Sequence, residues 1–337
     1  MRETRKILVT GASGFIGTHL TAALAARGYE VRAVYRRAEA PAALSALASR
    51  GVELFKADLS DGARVREAVS GVDAIIHVAA LASDWGPFEP FRESNYDATV
   101  SLIAAARGAG VKRFVYFSSA VVAGFGNHVD TTEEGPCYRL KYPYQITKQM
   151  TEEYVLAQDC KGFRTIAIRP CNVYGPGDYM STYQMYEAIM TGVFGYIGSG
   201  EAYTCPIFID DLCSGVIASL EHEELGGEAI ILTDGQKVPW KDYVEVMFRA
   251  VGSTKRPTSL PVPLAYAAAG VMTSFAKLFR FRKAPPLTLY RVEQGSQNYH
   301  FSNEKARRLL GFEPKTFYRE GLEITARAFL AERKNRS

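Results

Sequence analysis

The sequence predicts an α/β fold: a doubly wound parallel sheet with a smaller, mostly helical C-terminal domain. Three observations predict it. Apolar runs alternate with helical patterns through the first half of the chain, as strands and crossover helices of a parallel sheet do. The runs are near-continuous blocks of Val, Ile, Leu and Phe, the signature of strands buried on both faces. The first run passes directly into three glycines spaced three apart, and a helical pattern follows.

The elements follow in order. Strands are expected at "KILVT", "EVRAVY", "VELFKA", "DAIIHVAA", "RFVYFSS" and "FRTIAIRP". Helices are expected at 15–27, 63–70, 96–110 and 144–158. The alternation breaks after "RPCNVYGPGD", where glycines and aromatics become dense. A strand–helix unit returns at "CPIFIDDLCSGVIASL", and a strand follows at "EAIILTDG". From about Val238 the chain reads as helices broken by prolines. The sheet domain is therefore expected to span 1–178 plus 206–236, and the second domain 179–205 plus 237–337.

Composition narrows the class. Of 337 residues, 47% are hydrophobic and 23% charged, as in an ordinary globular protein. The net charge of +4 is dispersed, so there is no concentrated basic face for nucleic acid. The cysteines at 137, 160, 171, 205 and 213 form neither a CxxC motif nor a Cys/His cluster. Reduced thiols in a cytoplasmic protein are expected, without metal or disulfides. The first apolar run is short and ends in glycine, so no signal segment is expected. From Pro257 to Ala276 the chain is uncharged, and its prolines delay any continuous helix until near Pro263. What remains is too short and too Ala-rich for a membrane span. Lys277, Arg280, Arg282 and Lys283 follow. Two readings stand: a packed helix, or a surface through 257–283 that touches lipid or admits an apolar substrate.

The glycines carry a ligand signal. Gly11 permits a tight turn, Gly14 allows backbone to approach a pyrophosphate, and Gly17 lets the helix pack closely on the strand. The helix start at Phe15 and Ile16 supplies unpaired N–H groups and a partial positive charge, and Ser13 adds a hydroxyl donor. The second strand ends at "VYRRAEA". An NAD-binding fold usually has an acidic residue there for the ribose 2′-hydroxyl. Here Arg36 and Arg37 stand in its place, which favours a 2′-phosphate and NADP(H). Glu39 could still reach a ribose, so NAD(H) is the alternative.

Of nineteen tyrosines, only Tyr144 has a lysine four residues later, Lys148, in "YQITK". On a helix these two share a face. A nearby ammonium lowers the pKa of a phenol, which fits the pair for proton transfer during hydride transfer. Tyr142 falls on a different face. Ser118 and Ser119 end the fifth strand, at the edge where α/β sheets bind ligands. A hydroxyl there can orient a substrate oxygen toward the tyrosine.

Together these motifs resemble the extended short-chain dehydrogenase/reductase family, of the NAD-dependent epimerase/dehydratase type, over nearly the whole chain. "TGASGFIG" is similar to the family's TGxxGxxG. The resemblance implies a Rossmann sheet and adenine contacts from Asp58 and Leu59 in "ADLSD". It implies cofactor contacts from Ala79, Ala80 and Leu81 in "HVAAL", and Pro170 and Val173 flanking the nicotinamide. It also implies Ser119, Tyr144 and Lys148 as catalytic residues, with Lys148 on the nicotinamide ribose. A homodimer through the helices containing Asn95 and Tyr144 is implied as well.

Ala120 and Val121 stand where the related 4,6-dehydratases carry an acidic pair. No arginine precedes "FIDDL" to hold a sugar diphosphate, although Asn172 does match the sugar-nucleotide members. The tail and the apolar 257–279 stretch look more like the 3β-hydroxysteroid dehydrogenase-like branch. The expected activity is an NADP(H)-dependent oxidoreductase that interconverts a secondary alcohol and a ketone on a largely apolar small molecule. A nucleotide-sugar epimerase or reductase is the enzymatic alternative, and a non-catalytic NADP(H)-binding regulator the alternative of another class.

Overall fold

In the computed structural model, residues 5–192, 194–279, 281 and 283–336 are described. Arg280 and Arg282, noted above, lie outside the described residues. Seven parallel strands form the central sheet: β1 (Lys6–Thr10), β2 (Glu30–Tyr35), β3 (Glu53–Lys56), β4 (Ala74–His77), β5 (Arg113–Phe117), β6 (Arg164–Pro170) and β7 (Glu228–Leu232). Their spatial order is β3-β2-β1-β4-β5-β6-β7. Strand order reverses between β1 and β4, so the ligand crevice of such a fold lies above the carboxyl ends of these two strands.

Alternation along the strands divides the core. Ile7 and Val9 of β1, Val115 and Phe117 of β5, and Ile166 and Ile168 of β6 face one layer. Leu8, Phe114, Tyr116 and Ala167 face the other. The first layer is closed by α1 (Phe15–Ala26), α7 (Ile209–Glu221), α8 (Trp240–Ala250) and α12 (Tyr318–Arg336). The second is closed by α3 (Gly62–Val69), α4 (Ala98–Gly108) and α5 (Pro143–Leu156). Helix α2 (Ala42–Ala48) covers the sheet edge with Leu44 and Leu47. Helix α6 (Thr182–Thr191) is tied to α12 by the Tyr186 hydroxyl, which donates to the Leu322 carbonyl at 2.7 Å.

Helix α4 begins two residues later than its pattern suggests, because a π-helical turn (Arg92–Asp97) precedes it. Helices α9 (Val262–Leu278), α10 (Leu289–Ser296) and α11 (Glu304–Leu310) belong to the C-terminal part of the chain, and among the described residues four short strand pairs lie outside the central sheet. Three of these pairs are parallel, among them Asn172–Tyr174 with Pro206–Phe208. Asp211 in α7 accepts the backbone N–H groups of Lys315 and Thr316 at 2.9 and 2.8 Å, which closes the tail over the sheet. Among the described residues, no helix is long and apolar enough to cross a membrane.

Helix α5 is held to β6 by a buried charge pair. Arg169 Nη2 lies 2.6 Å from Glu152 Oε1, and Arg169 Nε reaches the same carboxylate at 3.0 Å. Arg169 Nη1 also donates to the Glu133 carbonyl. Removing one member of a buried pair strands the other, at a cost of about 3–5 kcal/mol. We therefore expect Arg169→Met to lower the melting temperature sharply, and Arg169→Met with Glu152→Leu to recover most of the loss. Equal destabilisation in the single and double variants would show that the pair does not secure α5.

Candidate active site

The turn after β1 is shaped by what its glycines exclude. Gly11 has φ +66°, and a Cβ there would lie 2.7 Å from the Ala79 nitrogen at the end of β4. A Cβ on Gly17 would lie 2.2 Å from the Gly11 carbonyl oxygen. Gly14 caps α1 in extended conformation, and a Cβ there would meet only the Gly11 oxygen, at 3.3 Å, among the described residues. Two glycines are therefore required by packing, whereas Gly14 opens the near side of the cradle. The first turn of α1, from Phe15 and Ile16, points its unpaired N–H groups into this crevice. Ser13 stands half-exposed at its rim. These features fit a dinucleotide pyrophosphate.

At the end of β2, Arg36 is 76% exposed, and its Nη1 lies 3.9 Å from Asp58. The Asp58 carboxylate accepts the Ser60 N–H and hydroxyl at 3.0 and 2.8 Å, which hold its pKa below the usual value, with a smaller contribution from Arg36. Leu59 packs against the core. Asp58 thus braces its own turn, and the Arg36 guanidinium is left facing solvent.

Above β4, one line of hydrogen bonds crosses the crevice floor. Thr99 donates its hydroxyl proton to the Asn95 carbonyl at 2.5 Å, so it must accept from His77 Nε2 at 2.9 Å. His77 Nδ1 then accepts the Thr10 hydroxyl at 2.7 Å, and Thr10 in turn accepts the Ala79 N–H at 3.2 Å. Burial, with a smaller push from Lys148, takes the His77 pKa down to about 3 and keeps the ring neutral. The Asn95 side chain reads the next residues: its Oδ1 accepts the Leu81 N–H at 2.7 Å, and its Nδ2 donates to the Leu81 carbonyl and to Thr147 in α5. Ala79, Ala80 and Leu81 are thereby fixed as one wall. Thr10 and His77 open the "TGASGFIG" and "HVAAL" segments, but neither spacing nor motif signals that they join Thr99, Asn95 and Thr147 in one line.

Ser119, Tyr144 and Lys148 come together beside this wall. Pro143 occupies the first turn of α5, where its missing N–H leaves no bond unmade, and this helix presents Tyr144 and Lys148 on one face. Ser119 caps the 3-10 turn Ala120–Ala123 by accepting the Val121 N–H, and it is hydrogen-bonded to Tyr144. Ser118 is buried, with its N–H donated to the Ile168 carbonyl in β6, and its hydroxyl has no partner among the described residues. Lys148 Nζ donates to the Phe117 carbonyl at 2.5 Å and stands 6.0 Å from the Tyr144 ring centre.

The electrostatics differ from the expectation that the ammonium lowers the phenol. Burial pushes Tyr144 up to about 12, and the Ser119 hydrogen bond only partly offsets it. Burial also takes Lys148 down to about 7, opposed by Glu152. Burial is the leading cause for both groups, and Lys148 is aimed at the Phe117 carbonyl rather than at the phenol.

Pro170 ends β6, where it pairs with Leu232 of β7, and Val173 lies in the short strand Asn172–Tyr174 that pairs with Pro206–Phe208. Beyond Tyr144 lies an aromatic wall. Tyr144 and Tyr142 pack against a cluster containing Phe125, Tyr290 and Tyr299. The Phe125 and Tyr290 rings meet edge-on at 4.8 Å, and Tyr142 and Tyr290 at 5.1 Å. Burial, then the carboxylate of Glu293, raises the Tyr142 pKa further. Asn172 is committed on both sides: its Nδ2 donates to Thr204 and its Oδ1 accepts from Gln294 in α10. The loop after Leu81 is clasped to α10, with Asp84 Oδ2 2.7 Å from Arg291 Nε and 2.8 Å from the Thr288 hydroxyl. Neither this clasp nor the aromatic wall is signalled by local spacing, because each joins residues far apart in the chain.

The chain is similar to known proteins over nearly its whole length. Residues 7–232 match the family described as NAD dependent epimerase/dehydratase. The chain is 32% identical over 327 residues to a 2-alkyl-3-oxoalkanoate reductase of Stenotrophomonas maltophilia, covering 94% of this chain and 97% of that protein. It is 32% identical over 329 residues to a 3 beta-hydroxysteroid dehydrogenase/Delta 5→4-isomerase of Mycobacterium tuberculosis, covering 93% and 87%. Among solved structures, gox2253 superposes with a TM-score of 0.80 at 28% identity, covering 98% and 99%.

Tyr144→Phe removes the hydroxyl bonded to Ser119 and keeps the ring. Turnover is expected to fall by about 10²–10⁴-fold, the usual worth of a positioned proton donor, with dinucleotide affinity unchanged by calorimetry. Near-normal turnover would shift the role to Tyr142.

Proposed function

The chain belongs to the NAD dependent epimerase/dehydratase family, the extended short-chain dehydrogenase/reductases, and within it we propose an NADP(H)-dependent oxidoreductase that interconverts a secondary alcohol and a ketone on a largely apolar substrate. The observation that carries the reading is the aromatic wall against Tyr144. Each Å² of apolar surface buried there contributes about 25 cal/mol, which rewards hydrocarbon over sugar. Two further features support it. Asn172, the residue shared with sugar-nucleotide enzymes, already has both ends of its amide bonded within the protein. No arginine lies between Glu201 and Asp210 to pair with a diphosphate. The relatives named for reduction of 2-alkyl-3-oxoalkanoates and dehydrogenation of 3β-hydroxysteroids act on substrates of this kind.

The residues divide the work. Gly11, Ser13, Gly14, Phe15, Ile16 and Gly17 would hold the pyrophosphate, Arg36 the 2′-phosphate, and Asp58 and Leu59 the adenine. Ala79, Ala80, Leu81, Pro170 and Val173 would flank the nicotinamide. When bound, the nicotinamide exchanges a hydride with the substrate carbon. Ser119 orients the substrate oxygen by hydrogen bond. Tyr144, whose high pKa keeps its proton in place at neutral pH, delivers that proton to the oxygen in reduction and accepts it in oxidation. Lys148 holds the ribose and, once charged, favours the phenolate. The aromatic wall excludes water from this exchange. A homodimer through α4 and α5 completes the reading.

Arg36 predicts the cofactor. Calorimetric titration should show NADPH binding about tenfold tighter than NADH, the worth of one exposed guanidinium–phosphate pair. Arg36→Asp should narrow or reverse the difference. Equal affinities in the unaltered protein would overturn the 2′-phosphate assignment.

The substrate class is tested separately. Long-chain 3-oxo acids and 3-oxosteroids should oxidise NADPH with the protein, whereas UDP- and dTDP-sugars should neither turn over nor raise the melting temperature. A clear thermal shift with a UDP-sugar would replace this reading with a nucleotide-sugar epimerase or reductase.

A further inference from the structure

Helix α9 is built inside out. Its small residues are buried: Ala265 and Ala269 are fully covered, with Val292 of α10 completing their cluster, and Ala276 is nearly so. Its large apolar residues face solvent. Leu264, Val271, Phe275 and Leu278 recur at intervals of seven, four and three, so they share one stripe. Val271 is 71% and Leu278 77% exposed. Phe279 and Phe281 extend the patch, with the Phe275 and Phe279 ring centres 4.4 Å apart. An amphipathic helix that only packs on its own protein would place these side chains the other way round. A continuous exposed patch of this size marks an interaction surface.

Charge identifies what the surface meets. From Val246 to Val292 the sequence contains no aspartate or glutamate, yet it carries eight lysines and arginines. Lys255, Lys277 and Lys283 are all exposed. A large apolar face in an acid-free, basic segment is complementary to anionic headgroups over acyl chains. A second copy of the chain would bring like charges together, and nothing acidic in the segment would pair with them. Since the helix is too short to cross a bilayer, on a membrane it would lie along the surface. Trp85 Nε1 donates to the Phe281 carbonyl at 3.0 Å, so the patch is continuous with the loop that follows Leu81 at the cofactor crevice. We propose that the outer face of α9, with Phe279 and Phe281, docks the protein on an anionic bilayer surface. This rests on the exposed face and its charge, not on the choice of substrate.

Flotation of the full chain tests it, with vesicles of phosphatidylcholine alone and vesicles of phosphatidylcholine and phosphatidylglycerol in equal parts. The protein should float with the anionic vesicles at low salt and be released as salt rises. Lys277→Gln and Lys283→Gln should each weaken binding about fivefold. Phe275→Ser with Leu278→Ser should abolish it. These positions are exposed, so melting temperature and dinucleotide affinity should stay unchanged in every variant, which separates lost docking from lost folding. Absence of flotation with anionic vesicles, or flotation unaffected by Phe275→Ser with Leu278→Ser, would overturn the proposal. So would sedimentation showing that this double variant turns a dimer into a monomer, since the face would then hold a second copy.

Discussion

His77 lies between Thr10 at the end of β1 and Thr99 in α4, and its neutral ring lets one line of hydrogen bonds cross the floor of the site. Each donor along that line has its proton direction set by the next acceptor. The Ala79 N–H, the two hydroxyls and the imidazole are all used, and the line ends on the Asn95 carbonyl. A proton added to the ring would make Nδ1 a second donor facing a hydroxyl that must then reverse. Burial opposes that proton, so the line keeps one polarity at any pH where the protein works. The wall at Ala79–Leu81 is thereby positioned by a core that does not titrate.

The same line explains the π-helical turn. Asn95 must present its carbonyl to Thr99 and its amide to both Leu81 and Thr147. A regular α-helix through Arg92–Asp97 would rotate later residues relative to that amide, and π-turns of this kind commonly serve a site. Asn95 therefore couples the Ala79–Leu81 wall to α5, which carries Tyr144 and Lys148. Helix α5 is in turn fixed to β6 by Arg169 and Glu152, and Glu152 also supports the charge on Lys148.

Much of this was legible in the chain because it is local. The strands were readable as apolar runs, and the glycine turn after the first of them was readable as a phosphate-binding turn. Tyr144 and Lys148 share a helical face by spacing alone. What could not be read depends on residues brought together from distant segments. Asp84 and Arg291 are far apart in sequence, as are Phe125 and Tyr290. The electrostatics of the Tyr144–Lys148 pair also escaped local reading. Spacing makes them neighbours, but depth of burial decides which way each titrates. The reversal of small and large residues on α9 was equally hidden, since an uncharged Ala-rich stretch does not say which of its faces is inward.

The clasp between Asp84 and α10 restricts how the crevice can open. Asp84 takes both the Arg291 guanidinium and the Thr288 hydroxyl, so α10 carries the loop after β4 with it. That loop begins at the wall anchored by Asn95. A hinge between the sheet and the C-terminal helices therefore cannot sit at this edge without breaking a charged contact. Tyr290 and Glu293 lie on the clasped helix, so the aromatic wall and the dinucleotide wall move as one rigid jaw.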